Sequence, residues 1–403
     1  MLTLLSLCPV PIHRPLLATA VAALLAAGPL LAAAPAASSA PATALAPAAP
    51  PGLPTAPPGL KLHVPSPEWR DQILYFVVTD RFDDGDASNN DQGAGEFNPR
   101  SNAHYNGGDF AGLARRLDYI RGLGATALWI TPPVANQWWD ASARYSGYHG
   151  YWAENFMQVD KHLGTLDDYR RLSDALHRRG MFLVQDIVLN HTGNFFSYGP
   201  GWSASDPARD WRPNIGTSTS TSTSTSTGTG AGTGTGSLPT PAPITAPSQP
   251  PFDQNDPRNP AQRAAAIDHW TRDITDFGDP KQLLTGQMSG LDDLNTDNPV
   301  VRRALRQSYG HWINAVGVDA FRVDTAFYVP PGLFGDFLHS ADPTAPGIAR
   351  VARATGRQHF YTFGEGFITP FFANGRHFNV PYILRWAYQS GSSDQTRKFI
   401  HCE

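Results

Sequence analysis

Cysteine is nearly absent from this 403-residue chain: there are two, Cys8 and Cys402, one near each end. Loss of an N-terminal leader carrying Cys8 would leave a single thiol, so no intramolecular disulfide framework is available even in an oxidising compartment. Charge is scarce too. Only 16% of residues are charged, against about 25% in ordinary soluble domains, and the net charge is −4 with a pI near 6.3. There is no basic run or basic helix face, which argues against a nucleic-acid footprint or a polybasic membrane surface. The expected partner is neutral. What the chain does have is aromatic residues, 11% with ten Trp and thirteen Tyr, enough to fill a large core and still show flat rings to a ligand.

The one long apolar run lies at the N-terminus. His13 and Arg14 precede Leu16 to Ala34, and small residues gather around Ala32 to Ala34. Residues 1–34 thus read as an export signal, which points to a secreted or periplasmic location. A membrane anchor is the alternative, because about 20 apolar residues span a bilayer, but the Ala, Gly and Pro content weakens it. Cys8 lacks the preceding basic residues of a lipoprotein cysteine. From 35 to 66 the Ala/Pro composition has little to bury and reads as an extended linker.

The fold is expected to begin after it. QILYFVVTD (72–80), ATALWIT (125–131) and MFLVQDIVL (181–189) are short apolar, β-branched runs that read as buried strands. Between them, FAGLARRLDYIRGLG and TLDDYRRLSDALHRRG carry apolar residues at helical spacing and close on Gly. Strand alternating with helix implies an α/β fold with a parallel sheet. The first part of this region spans 67–189. After Asn190 the alternation breaks into an insertion, 190–290, which contains a Ser/Thr/Gly repeat at 216–237 with almost nothing to bury, expected to be a disordered loop. It resumes over 291–370 with a helix, VVRRALRQSYGHWINAVG, a strand, VDAFRVDT, a Pro/Gly-rich stretch and the strand HFYTFGEG. Five strands result, whereas a closed (β/α)₈ barrel has eight and about 250 residues. An incomplete TIM barrel is predicted, with an atypical tail over 371–403 and the chain cut short at its C-terminus.

Several acids sit at or just past the ends of these strands, the face on which barrel enzymes place their chemistry: Asp186 near the end of the third, Asp324 ending the fourth, Glu365 ending the fifth. Arg322 precedes Asp324 by two residues, and strand alternation puts both side chains on one face. A guanidinium there is expected to lower the carboxylate's pKa and keep it ionised, as a nucleophile requires; a structural ion pair is the plain alternative. Glu365 lies between Gly364 and Gly366, which leave its carboxyl standing free, and an acid in a partly dry aromatic setting holds its proton near neutral pH. A nucleophile and a proton donor are the pair that retaining glycoside hydrolysis uses, at about 5 Å separation.

With DIVLNH (186–191), GVDAFRVD (317–324), LDDLN (291–295) and the Gly-flanked Glu365 in that arrangement, residues 72–367 resemble the alpha-amylase family, glycoside hydrolase family 13. The resemblance implies a (β/α)₈ barrel with an inserted B domain after the third strand. It implies Asp324 as nucleophile, Glu365 as general acid and base, and Arg322 as the partner of Asp324, with Asp186 among the substrate-binding residues. His191 would hydrogen-bond the sugar at the cleaved bond. GYHGYW (147–152) matches the family's aromatic motif, so Tyr151 would stack under that sugar and His149 would line the same subsite; packing beside a Gly turn is the alternative. Calcium is implied at one or two structural sites. Asn190, Asp293 and the Tyr328 carbonyl match one; Asp84, Asp86, Asn89, Asn90, the Gly107 carbonyl and Asp109 resemble a second, seen in cyclodextrin glucanotransferases. Dense oxygen ligands suit a hard cation, and an Asx-rich turn is the alternative.

Two departures qualify these expectations. The family's third acid, an Asp preceded by His near the seventh strand, has no match, so turnover by these residues alone is expected to be impaired. After Asp324 the sequence reads TAFYV where many members carry Lys-His, which leaves the acceptor side open. The expected partner is an α-glucan, acted on by a monomeric hydrolase, with a cyclodextrin-acting or glucan-transferring enzyme, or a non-catalytic glucan-binding protein, as alternatives. No nucleic acid and no stable membrane partner are expected.

Overall fold

A computed structural model describes residues 56–140, 142–214 and 246–365; all lie within one compact unit. The signal peptide, most of the Ala/Pro linker, the Ser/Thr/Gly repeat, the tail and both cysteines lie outside the described residues. Among the described residues, no helix is long and apolar enough to cross a membrane.

In chain order the elements are β1 (Leu74–Val77), α1 (Phe110–Gly122), β2 (Ala127–Ile130), β3 (Val134–Asn136), β4 (Trp139–Asp140), β5 (Tyr145–Ser146), β6 (Ala153–Val159), α2 (Leu166–Arg178), β7 (Phe182–Val188), β8 (Phe196–Tyr198), β9 (Trp211–Pro213), α3 (Pro260–Ala265), α4 (Pro280–Thr285), α5 (Pro299–Val316), β10 (Ala320–Asp324), α6 (Pro331–His339), α7 (Ile348–Ala354) and β11 (Tyr361–Gly364). The five strands expected from sequence form one sheet in the order β1-β2-β7-β10-β11, with every pairing parallel. It is an incomplete barrel, with β1 and β11 as its free edges among the described residues.

Alternation divides the sheet's residues between two faces. Leu128, Ile130, Leu183, Ile187, Phe321 and Val323 belong to the main core with the apolar stripes of α1, α2 and α5. Ala127, Val184, Ala320 and Tyr361 face inward, and Trp69 packs among them, stacked on Tyr361 with centroids 5.7 Å apart. The helices begin where capping chemistry says they should. Asp109 caps α1 by accepting from Gly112 N, Thr165 and Asp168 form a capping box on α2, and α5 starts at Pro299 behind Asn298.

One sequence expectation is corrected. Residues 60–66 are not linker: Leu62 and Val64 are buried at 4% and 8% exposure, Lys61 N donates to Asp174 at 2.6 Å, and Arg357 Nη2 donates to the Leu62 carbonyl at 2.8 Å. Two apolar side chains in a Pro/Ala-rich stretch were enough to join the core. The Pro/Gly-rich stretch before β11, to which the sequence assigned no element, folds as α6 and α7, with Pro331 in the first turn of α6, where its missing N–H costs nothing. Between β7 and α5, the described residues carry a small apolar cluster of Phe196, Trp211 and Trp270.

Candidate active site

The C-terminal ends of β7, β10 and β11 converge on one cation. In the β7–β10 register Arg322 lies directly opposite Asp186, and its Nη1 donates to both carboxylate oxygens of Asp186 at 3.0 Å and to Asp324 Oδ1 at 2.8 Å. Its Nη2 lies 2.9 Å from Glu365 Oε1. One guanidinium therefore spans all three acids at strand ends, with the Trp129 ring beneath it at 5.5 Å. Glu365 is fixed further: its backbone N–H donates to the Val323 carbonyl at 2.8 Å, and its Oε2 accepts from Thr325 N at 3.1 Å.

Burial decides the protonation of these acids. It pushes Asp186 up to about 7 against the pull of Arg322. Asp324 also lies above the usual carboxylate range, because burial outweighs Arg322; this corrects the expectation that the guanidinium would depress it, since Arg322 divides its charge among three carboxylates. Glu365 is raised by burial and by the charge of Asp324, with Arg322 opposing. The hydrogen bond between the two pulls Asp324 down and pushes Glu365 up, so the pair titrates together, with both carboxyls held above the ordinary range.

Asp186 is fully buried. Besides Arg322 it accepts from Trp129 Nε1 and the Tyr151 hydroxyl, each at 3.0 Å. With its oxygens so occupied it orients Arg322 and Tyr151 rather than touching a ligand, contrary to its expected place among the substrate-binding residues. His191, also placed there by the resemblance, is buried with its Nε2 donating to the Tyr151 carbonyl at 3.1 Å, and burial lowers its pKa to about 4. It holds the backbone of Tyr151. His149 Nδ1 accepts from Tyr151 N at 3.1 Å, and its ring stacks on that of Tyr151 at 5.7 Å; burial, then His191 and Arg81, lower it to about 3, so it is neutral. The strand reading missed Trp129, since Trp in an apolar strand reads as core. It also missed Thr325, a β-branched residue at φ +49° directly after Asp324, a strained position that aims its N–H at Glu365.

Among the described residues, no group of three or more His, Cys, Asp or Glu side chains is placed to hold a metal ion. Two oxygen-rich groups nevertheless have the donor chemistry of calcium. Asn190 and Asp293 are buried together, with Asp293 Oδ1 unpartnered and its Oδ2 at 2.5 Å from His269 Nδ1; Asp268 beside them has an unpartnered buried Oδ2. Burial pushes Asp293 up to about 7, so both oxygens would gain from a cation. Tyr328 lies in the turn Ala326–Tyr328 just after Asp324. In the second group, Asn89 Oδ1 and Asn90 Oδ1 are buried without partners. Gly107 has φ +97°, and a Cβ there would lie 2.7 Å from Asn90 Nδ2. Asn90 Nδ2 donates to Asp84 Oδ2 at 2.6 Å, and Asn89 Nδ2 to Asp109 Oδ2 at 3.1 Å. Asp86 forms an Asx turn with Ser88, and Asp109 is engaged by Gly85, Asp86 and Gly112 amides.

A parallel βα sheet of barrel type, carrying at its C-terminal edge a clamped carboxylate pair beside stacked aromatic rings, defines a class of barrel enzyme suited to acid and nucleophile chemistry. Residues 76–361 match the alpha-amylase catalytic domain. The chain is 31% identical over 285 residues to the beta/alpha-amylase of Paenibacillus polymyxa, covering 70% of this chain and 19% of the relative. It is 28% identical to the cyclomaltodextrin glucanotransferase of Klebsiella oxytoca, covering 74% and 38%. The crystal structure of an Anoxybacillus alpha-amylase superposes with a TM-score of 0.52 at 26% identity, over 80% of this chain and 51% of that one. The chain belongs to the alpha-amylase family, whose members are glycoside hydrolases and glucanotransferases. It spans less than two fifths of the length of the two curated relatives and about half of the solved one.

Proposed function

We propose that this chain is an exported, retaining α-glucan hydrolase of the alpha-amylase type, cleaving α-1,4 bonds of starch or maltodextrins. The observation that supports this most directly is the Arg322 clamp, which puts Asp324 and Glu365 within one guanidinium's reach, with burial and the charge of Asp324 holding the Glu365 carboxyl above the ordinary carboxylate range. In the first step Glu365 gives its proton to the glycosidic oxygen as Asp324 attacks the anomeric carbon, breaking the C–O bond and forming a glycosyl ester. In the second, Glu365 takes a proton from water, whose oxygen attacks the same carbon and releases Asp324. Tyr151 would stack under the sugar beside neutral His149, with Asp186 and His191 holding Tyr151 in place.

Calcium, when bound, would supply structural charge. Asn190 and Asp293, with the Tyr328 carbonyl, would hold one ion between the sheet and the 190–290 insertion; Asp84, Asp86, Asn89, Asn90, the Gly107 carbonyl and Asp109 would hold another. The second group, together with the glucanotransferase relatives, favours sugar transfer as the second reading.

The test is reducing-end release from starch by the full chain with calcium, with Asp324→Asn as the blank. Release above the blank, with only linear products shortened from the substrate, supports hydrolysis; cyclic or lengthened glucans would indicate transfer. Binding of maltodextrins with no turnover would leave a non-catalytic glucan-binding protein.

A further inference from the structure

Trp129 brings a neutral donor to a site otherwise held by charge. It lies in β2, in register with Phe76 of β1 and Val184 of β7, and packs on the sheet's inner face with Ala127, Val184 and Tyr361. Two rings set its orientation: Phe76 at 4.4 Å, and Phe363 edge-on at 5.7 Å and 84°. From there Nε1 reaches the neighbouring strand and donates to Asp186 Oδ2 at 3.0 Å.

The contact between Asp186 and Arg322 is one-armed. A carboxylate facing a guanidinium commonly takes both arms of its fork, one N–H for each oxygen. Asp186 takes only Nη1, which lies 3.0 Å from both of its oxygens. The rest of the guanidinium's reach goes elsewhere, Nη1 to Asp324 Oδ1 at 2.8 Å and Nη2 to Glu365 Oε1 at 2.9 Å. The place of the second arm on Asp186 Oδ2 is filled by Trp129 Nε1–H and the Tyr151 hydroxyl, each at 3.0 Å. Asp186 is fully buried, and a buried carboxylate short of donors is costly. Without those two donors it would recruit the nearest cationic one, Nη2. The face of the same indole lies 5.5 Å from the Arg322 guanidinium, within the range of a cation–π contact, so one side chain both satisfies the acid and seats the cation.

We propose that Trp129 is a positioning residue for the proposed reaction: with the Tyr151 hydroxyl, its N–H stands in for the second arm on Asp186 and leaves the Arg322 guanidinium to hold Asp324 and Glu365 together. Trp129 acts through Asp186 and Arg322 and touches no reacting atom. Arg322 opposes the upward push of burial at both Asp324 and Glu365. A guanidinium drawn toward Asp186 would therefore let both carboxyls rise further, and Asp324 would need a higher pH to ionise. The inference rests on the glucan-hydrolase reading above.

The test pairs crystal structures with pH profiles of kcat/KM on maltoheptaose, using the full chain with calcium as wild type, Trp129→Phe and Tyr151→Phe. Each variant keeps a ring and removes one donor from Asp186. In Trp129→Phe crystals Nη2 should have left Glu365 for Asp186 Oδ2, opening the Glu365 contact beyond hydrogen-bond reach. Both limbs of the pH profile should move upward, the acidic limb by about one unit, which is about a tenfold loss on that side, recovered in part at higher pH. Tyr151→Phe should move the limbs the same way, which keeps the proposal open to refutation if Trp129→Phe does not fold. A guanidinium still seated on Asp324 and Glu365 would overturn the proposal. So would a uniform fall in kcat/KM with unmoved limbs in whichever variants fold, the mark of packing alone. A wild type that leaves maltoheptaose uncut would sink the glucan reading instead, while the crystal structures would still decide whether Trp129 holds the clamp.

Discussion

Arg322 is the residue on which the site turns. Burial raises all three acids around this one cation, Asp186 fully buried and Asp324 and Glu365 half-buried, and the guanidinium they share does not offset it. Removing the cation would leave them without compensation, and truncating one partner of a buried ion pair costs about 3–5 kcal/mol. Arg322→Gln should therefore lower stability in urea unfolding by about that amount. On the proposed reading, Glu365→Gln removes the proton donor without disturbing the fold, and starch turnover should fall about 10²- to 10⁴-fold, the usual worth of general acid catalysis. A second charged residue far from the reaction governs pH response. His162 is buried, with Nδ1 at 2.7 Å from Asp160, Nε2 at 3.0 Å from Glu96 and the Tyr105 ring stacked on it at 3.7 Å. Burial alone would lower its pKa, but Asp160 and Glu96 outweigh it and raise the imidazole to about 9. Its stabilising charge is complete below the unfolded pKa of about 6.5 and is lost as pH climbs through 9. Melting temperature should fall over the upper part of that window, and because Asp186 and Asp293, raised to about 7, ionise alike in both proteins, the flatter slope of His162→Gln in scans at fixed calcium isolates the histidine.

At the scale of the elements, backbone geometry fixes which glycines matter. Gly317 ends α5 at φ +82°, and a Cβ there would sit 1.8 Å from the Leu62 carbonyl oxygen. Gly317→Ala should cost roughly 1–3 kcal/mol from the left-handed backbone alone, with more from displacing Leu62, measurable by urea unfolding. The five sheet strands and the helices α1, α2 and α5 were legible because each carries enough apolar residues at one period to declare itself. The two- and three-residue strands β4, β5, β8 and β9 were not, since so short a run has no period. Helix α6 was hidden by PPG, where the same prolines that suggest a loop also start a helix. In the site, alternation placed Arg322 beside Asp324 correctly, and glycines flagged Glu365. It could not reveal that Asp186 and His191 are sealed beneath Tyr151, because burial depth depends on what distant segments lay on top.

For the whole molecule, the exposed apolar residues tell where the fold is open. Four of the six large apolar residues exposed among the described residues, Ile73, Phe76, Tyr119 and Leu123, belong to edge strand β1, the residue before it, or the end of α1, while Phe277 and Val300 lie elsewhere. Such an edge invites pairing, and Phe76→Lys should reduce concentration-dependent association in light scattering without lowering the melting temperature. Calcium acts at the same scale: if the unpartnered oxygens of Asn89, Asn90, Asp268 and Asp293 take up cations, chelation should lower the melting temperature of the full chain, as a ligand that favours the folded state requires. The segment around Leu62 and Val64 carries a further consequence. It meets the sheet beside Gly317 and Arg357, where β10 and β11 begin, whereas Arg322, Asp324 and Glu365 lie where they end. The polypeptide thus joins this unit at the pole remote from the cleft. A surface, bead or fusion partner coupled through residues 62–64 would moor the domain by its strand starts and leave Arg322, Asp324 and Glu365 on the opposite, unobstructed end.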